Sequence, residues 1–169
     1  MQRRRPEQTL AADVALGALA GAAATLAMDR TTTVLYDYED DEAKRREDAA
    51  RGGDSAFGAA AKKVAEALGV ELTDAQKRTV GNALHWALGV GAGAAYGALR
   101  RRVPGLDAGQ GAAFGTAFFL LVDEGANTAL RLAPPPTAFP WQAHARGLAG
   151  HLVYGLVAET VLDAADRLR

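Results

Sequence analysis

The sequence predicts an all-α protein: a bundle of four transmembrane helices packed on glycine-rich faces, with one short amphipathic helix in the first outer loop. Three observations lead there. The 169-residue chain is 49% hydrophobic and carries 19 glycines, yet only 7% of it is aromatic. Alanine and glycine bury little area per residue and make a weak soluble core, whereas in a bilayer they let helix backbones approach closely. The charges are also segregated, with nine Lys/Arg and eleven Asp/Glu between residues 30 and 79, which leaves four windows nearly free of them. Finally, glycines and polar residues recur every four positions within each window. A soluble Ala/Gly-rich helical bundle is the alternative, and the mean hydropathy of -0.06 is what favours it.

Each element follows in order. Span one, residues 9–28, comes after Arg3, Arg4 and Arg5. Arginines before an apolar stretch also resemble a secretory signal, but Asp13 at its start argues for a retained span. Residues 30–79 form a charged linker, of which 38–53 shows no apolar periodicity and reads as solvated chain. Phe57, Ala61, Val64 and Leu68 then recur at helical spacing, which predicts an amphipathic helix over 55–68, capped by Asp54 or Ser55 and closed by Gly69. Thr73 and Gln76 make a capping box leading into span two, residues 80–99.

A tight turn at Val103, Pro104 and Gly105 leads to span three, residues 108–130. The stretch from Ala133 to Trp141 contains Pro134, Pro135, Pro136 and Pro140 and so can be neither helix interior nor central strand. It is the outer link to span four, residues 145–165. A span needs ~20 predominantly apolar residues. Asp123, Glu124 and Glu159 would each cost ~2.5–3.5 kcal/mol at a span centre if unpartnered, so spans three and four should insert only as parts of a bundle.

With four spans, Arg3 to Arg5, Arg100 to Arg102, and Arg167 with Arg169 fall on one side, which the positive-inside tendency makes cytoplasmic. Both termini are then inside. Arg30, Lys77 and Arg78 flank the opposite ends and oppose this orientation, while Tyr36, Trp86 and Trp141 at the outer interface agree with it. The setting is the bacterial inner membrane, the lipid bilayer being the principal partner and a homo-oligomer a further option.

The four-residue stripes hold most of the information. Span one has Asp13, Gly17, Gly21 and Thr25; span two has His85, Gly89, Gly93 and Gly97. Span three has Gly111, Gly115, Phe119, Asp123 and Asn127; span four has Gly147, His151, Gly155 and Glu159. Residues four apart share a helix face, and small residues at that spacing favour close crossings. Ionisable groups in lipid turn toward a bundle interior for an independent, electrostatic reason. The stripes should therefore face one another. Glu124 lies ~100° round the helix from Asp123 and should border a cavity, snorkel or be protonated.

Counted at 1.5 Å per residue, His85, Asp123 and His151 come out at one level, roughly 8–10 Å below the outer boundary, with Asp13 and Glu159 deeper. Interhelical hydrogen bonding that fixes register is the plainest role for such a trio, worth ~0.6–2 kcal/mol per bond. A proton site is the next reading, because histidine titrates near neutrality and a carboxylate shifts it. Two nitrogens and an oxygen for a divalent metal come third.

Other function classes find little support. The net charge of -1 gives no reason to expect nucleic acid, and the lack of cysteine excludes disulfides and thiolate metal sites. No serine-hydrolase elbow, zinc-protease motif or phosphate loop is present, and the single serine, Ser55, lies outside the spans. The Gly89–Gly97 run lacks the preceding strand of a dinucleotide loop. The reading is a non-enzymatic protein without a cofactor, with a small oligomeric transporter or channel component as the alternative and an intramembrane enzyme least supported.

From about Leu84 onward the chain resembles the YagU-like family of small bacterial inner-membrane proteins. The resemblance rests on His85 at the start of a Gly-rich span ending in Tyr96 and Gly97, on Pro104 with Gln110 and Gly111, on Pro135 and Pro136 with Phe139, Pro140 and Trp141, and on Gly150, His151, Leu152 and Val153 with Gly155 and Glu159. It implies a multi-span inner-membrane protein of unassigned activity and names no substrate; the shared level and stripe of His85, Asp123 and His151 are what make proton-linked envelope stress tolerance the functional expectation.

Overall fold

The computed structural model describes residues 9–168, which form helices joined by turns with no strand among them. Arg3, Arg4, Arg5 and Arg169 lie outside the described residues. The helices are α1 (Leu10–Asp37), α2 (Asp41–Arg51), α3 (Ala56–Leu68), α4 (Asp74–Leu99), α5 (Ala112–Phe118), a π-helical segment (Phe119–Ala126), α6 (Asn127–Ala129) and α7 (Trp141–Arg167), with a 3-10 turn at Pro136–Ala138. The starts of α1 to α4 are set by side-chain caps that satisfy otherwise orphaned N–H groups. Thr9, Asp40 and Ser55 accept from Ala12, Ala43 and Gly58, and Thr73 forms a reciprocal capping box with Gln76.

Glycine positions the long helices. α1 packs antiparallel on α4 so closely that a Cβ at Gly17 would overlap the Gly93 carbonyl oxygen, and one at Gly97 would overlap that of Asp13. A second antiparallel pair, α5 on α7, meets in the same way: a Cβ at Gly111 would overlap Gly155 O, and one at Gly115 would overlap His151 O. Gly111 also takes a φ of 87°, the left-handed turn that admits the chain to α5. α7 then lies against α1, with Gly150 making room for Thr32 and Met28. Tyr96 of α4 stacks on Phe114 of α5 at 4.4 Å, which closes the four-element ring. The core between them is aromatic and small: Ala20, Ala24, Tyr96, Phe118, Tyr154 and Ala158 are buried.

Several expectations need correction. Among the described residues two helices, not four, are long and apolar enough to cross a membrane: Leu10–Asp37 and Trp141–Arg167. α4 opens on Asp74, Gln76, Lys77 and Arg78, which dilutes its apolar run. The third span is no single α-helix, because residues 108–111 are turn and α5 gives way at Phe119 to π-helical winding. α1 continues nine residues past Met28 to Asp37. The charged stretch 38–53 is not solvated chain: most of it is α2, whose Glu47 is only 2% exposed.

Candidate functional site

The C-terminal half of α1, the N-terminal halves of α4 and α7 and the π segment border a cavity of about 240 Å³ beneath the α2–α3 corner and the proline-rich link. Its lining includes all three histidines of the chain, His85, His144 and His151, together with Asp123, Glu124 and Asn127. The predicted trio thus borders one space, although only two of its members meet directly.

Each imidazole has its own carboxylate. His151 Nδ1 lies 3.7 Å from Asp123 Oδ2, His85 Nε2 lies 2.9 Å from Asp29 Oδ1, and His144 Nδ1 lies 2.6 Å from Glu124 Oε1. The protonation pattern can be argued from the partners. His151 Nδ1 is 2.9 Å from Gly147 O, and a carbonyl only accepts, so Nδ1 carries the hydrogen. Its Nε2 has no hydrogen-bond partner among the described residues, although His151 is only 2% exposed. His144 Nε2 likewise donates to Pro136 O at 3.0 Å. The Glu124 contact then requires one further proton, shared between carboxyl and imidazole, so the pair is neutral as a whole.

Local winding brings these groups together. In the π segment the hydrogen bonds span five residues rather than four, so the chain turns less per residue and a wider face points one way. Phe118, Phe119, Val122, Asp123, Glu124 and Asn127 all reach the cavity as a result. Gly147 lets this face approach α7, since a Cβ there would stand 2.9 Å from the Phe119 ring and 3.5 Å from Asp123 Oδ2. Phe118 and Phe119 hold the His151 ring at 4.9 and 5.6 Å between centroids, and Phe57 meets His85 edge-on at 5.0 Å.

The cavity roof is ionic. Arg146 binds Glu39 at 2.5 Å and Glu47 at 2.6 Å, and Arg51, which lines the cavity, also binds Glu47 through Nε at 3.0 Å. Burial pushes the Glu47 carboxyl up, but hydrogen bonds from Arg146 and Arg51 outweigh it, and the net position is below the ordinary value.

The deeper acids Asp13 and Glu159 do not join the cavity. Glu159 accepts from the Tyr96 hydroxyl at 2.5 Å and from Arg100 at 2.6 Å, while Asp13 lies 3.3 Å from Arg102. Asp163 and Asp166 complete this second cluster on Arg100. Arginines that the sequence places at the inner boundary are thus also the partners of the buried acids.

Three participants escape the sequence reading: Asp29, His144 and Arg51. Among the described residues no group of three His, Asp or Glu is placed to hold a metal ion. Ser55 does line the cavity, but its hydroxyl accepts from Gly58 N at 3.0 Å as the α3 cap, and no histidine hydrogen-bonds to it.

Residues 55–160, more than half of the chain and all but two of the cavity elements, match the profile of a family described as protein of unknown function, DUF1440. The chain belongs to that family. Neither a curated protein nor a solved structure matches it.

Proposed function

We propose that this DUF1440 member is a non-enzymatic, multi-span protein of the bacterial inner membrane, similar to the YagU-like proteins, whose outer-half cavity takes up and releases protons. The observation that carries the reading is that all three histidines line one cavity, each beside a separate carboxylate. Histidine titrates in the range where envelope pH varies, and ionisable groups within spans are costly unless they are used or paired. Only 33% and 39% of the apolar windows of α1 and α7 are buried within the protein. Leu19, Leu26, Leu120 and Leu121 are exposed besides, which suits a lipid-facing surface better than water.

The test uses purified protein in lipid vesicles containing a pH-sensitive dye. The wild type should equilibrate an imposed pH gradient faster between about pH 5 and 8 than empty vesicles do, and His85→Ala with His151→Ala should remove the difference while helix content stays intact. Unchanged flux in the folded double variant overturns the proposal. A carbonate wash that strips the protein from membranes overturns the spans themselves.

A further inference from the structure

We infer that the cavity binds a primary ammonium group, with Asp123 as its counter-ion, in competition with the proton. The inference rests on the cavity reading above and adds the chemical class of the ligand.

The argument is a count of charge and of unused acceptors. Glu47 and Glu39 offset Arg51 and Arg146 in the roof. His144 and Glu124 form a pair that is neutral as a whole. His85 lines the cavity, but its partner Asp29 lies outside the lining and is 41% exposed, so solvent screens that carboxylate. The remaining charged group is Asp123, which no protein group hydrogen-bonds among the described residues; its closest ionisable contact is His151 at 3.7 Å. The groups facing Asp123 from neighbouring elements are His151 of α7, His85 of α4 and Arg51 of α2, with Glu124 beside it in the chain.

One unit of positive charge is therefore missing whenever His151 is neutral. The acceptors that could receive it are Asp123, the Nε2 lone pair of the buried His151 ring and the side-chain carbonyl of Asn127, all on the same cavity. Three acceptors suit an ammonium with three N–H donors; a quaternary ammonium has none to offer. The Phe57, Phe118, Phe119 and Phe139 walls would hold a short alkyl portion and attract the cation through their ring faces. About 240 Å³ admits several waters or a small amine, not a large solute. Protonating His151 supplies the same charge and removes its lone pair, so acid should expel the amine.

The experiment is isothermal titration of the full chain in phosphatidylcholine nanodiscs with n-butylammonium, tetramethylammonium and butyrate. n-Butylammonium should bind at pH 8 and about tenfold more weakly at pH 5.5, and Asp123→Asn should weaken it by about tenfold or more at pH 8 with thermal stability retained. Adding phosphatidylethanolamine to the discs tells the source. Competition would make the natural ligand a lipid headgroup, and no competition a soluble amine, either result supporting an ammonium site. Absence of n-butylammonium binding overturns the inference, as does equal binding of tetramethylammonium or butyrate, or full retention in Asp123→Asn. Proton flux that survives such a failure would leave the proton-exchange reading standing, and amine binding without flux would leave only the ligand site.

Discussion

At the scale of single residues, glycine decides whether the helices can meet at all. Gly93 and Gly91 lie two apart in α4 and make opposite predictions. A Cβ at Gly93 would overlap the Gly17 carbonyl and the Gly21 backbone, neither of which can swing away, whereas a Cβ at Gly91 meets nothing within 4 Å. Gly93→Ala should therefore destabilise the bundle by about 1–3 kcal/mol, the usual range for overpacking. Gly91→Ala should be neutral or stabilising by up to about 1 kcal/mol through helix propensity. Thermal unfolding in detergent, followed by circular dichroism, measures both, and equal effects would refute glycine-mediated contact as the basis of the α1–α4 pairing.

The same stripes show what was legible in the sequence and what was hidden. Steps of four from Asp13 reach Thr25 and, one turn further, Asp29, the partner of His85. Asp29 was lost because an apolar window ends at Met28, although the helix runs on to Asp37. His144 is two turns before His151, the i, i+7 relation of one helix face, but it falls before the apolar window of span four and among polar neighbours. In both cases the periodicity held while hydropathy, which sets only where lipid begins, was allowed to end the helix. That His85, Asp123 and His151 border one cavity is foreshadowed by their equal count along the helices, which depends on axial rise alone.

At the scale of elements, the π segment and α2 are the two features that periodicity could not supply. A change from four- to five-residue bonding leaves the composition unaltered, so Glu124 reads as off the stripe although it borders the cavity. α2 has no apolar face to reveal it; its buried contacts are ionic, through Glu47 to Arg146 and Arg51. Glu47→Gln should cost about 1–3 kcal/mol by leaving the partly buried Arg146 and Arg51 guanidinium groups less well paired, and should loosen the cavity roof. The pH dependence has a definite sign. Because the Glu47 carboxyl sits below its ordinary value of 4.5 in the folded protein, its contribution is complete above that value and is lost as pH falls through the lowered one. Melting curves should show the advantage of wild type over Glu47→Gln constant from pH 7 to about pH 5 and shrinking below it. An advantage that grows on acidification would contradict the ion-pair roof.

At the scale of the whole molecule, the two ends of the bundle are electrically distinct, and this bears on orientation. One end gathers Arg100, Arg101 and Arg102 on Glu159, Asp166 and Asp13, so part of the positive charge from which a cytoplasmic face is expected there is neutralised within the protein. The opposite end carries the cavity, α2 and exposed Trp141, which is 73% accessible and in the proposed topology would serve as an interfacial anchor. The proposed topology puts the cavity toward the outside and Leu168 toward the cytoplasm. Since the chain has no cysteine, single substitutions can report each side without background. Ala49→Cys in α2 should react with a membrane-impermeant maleimide in intact spheroplasts, and Leu168→Cys only after permeabilisation. The reverse pattern would invert the protein and make the cavity a sensor of cytoplasmic rather than external protons. Equal labelling of both, without permeabilisation, would remove the membrane-spanning topology and with it the low-dielectric setting on which the charge count at Asp123 depends.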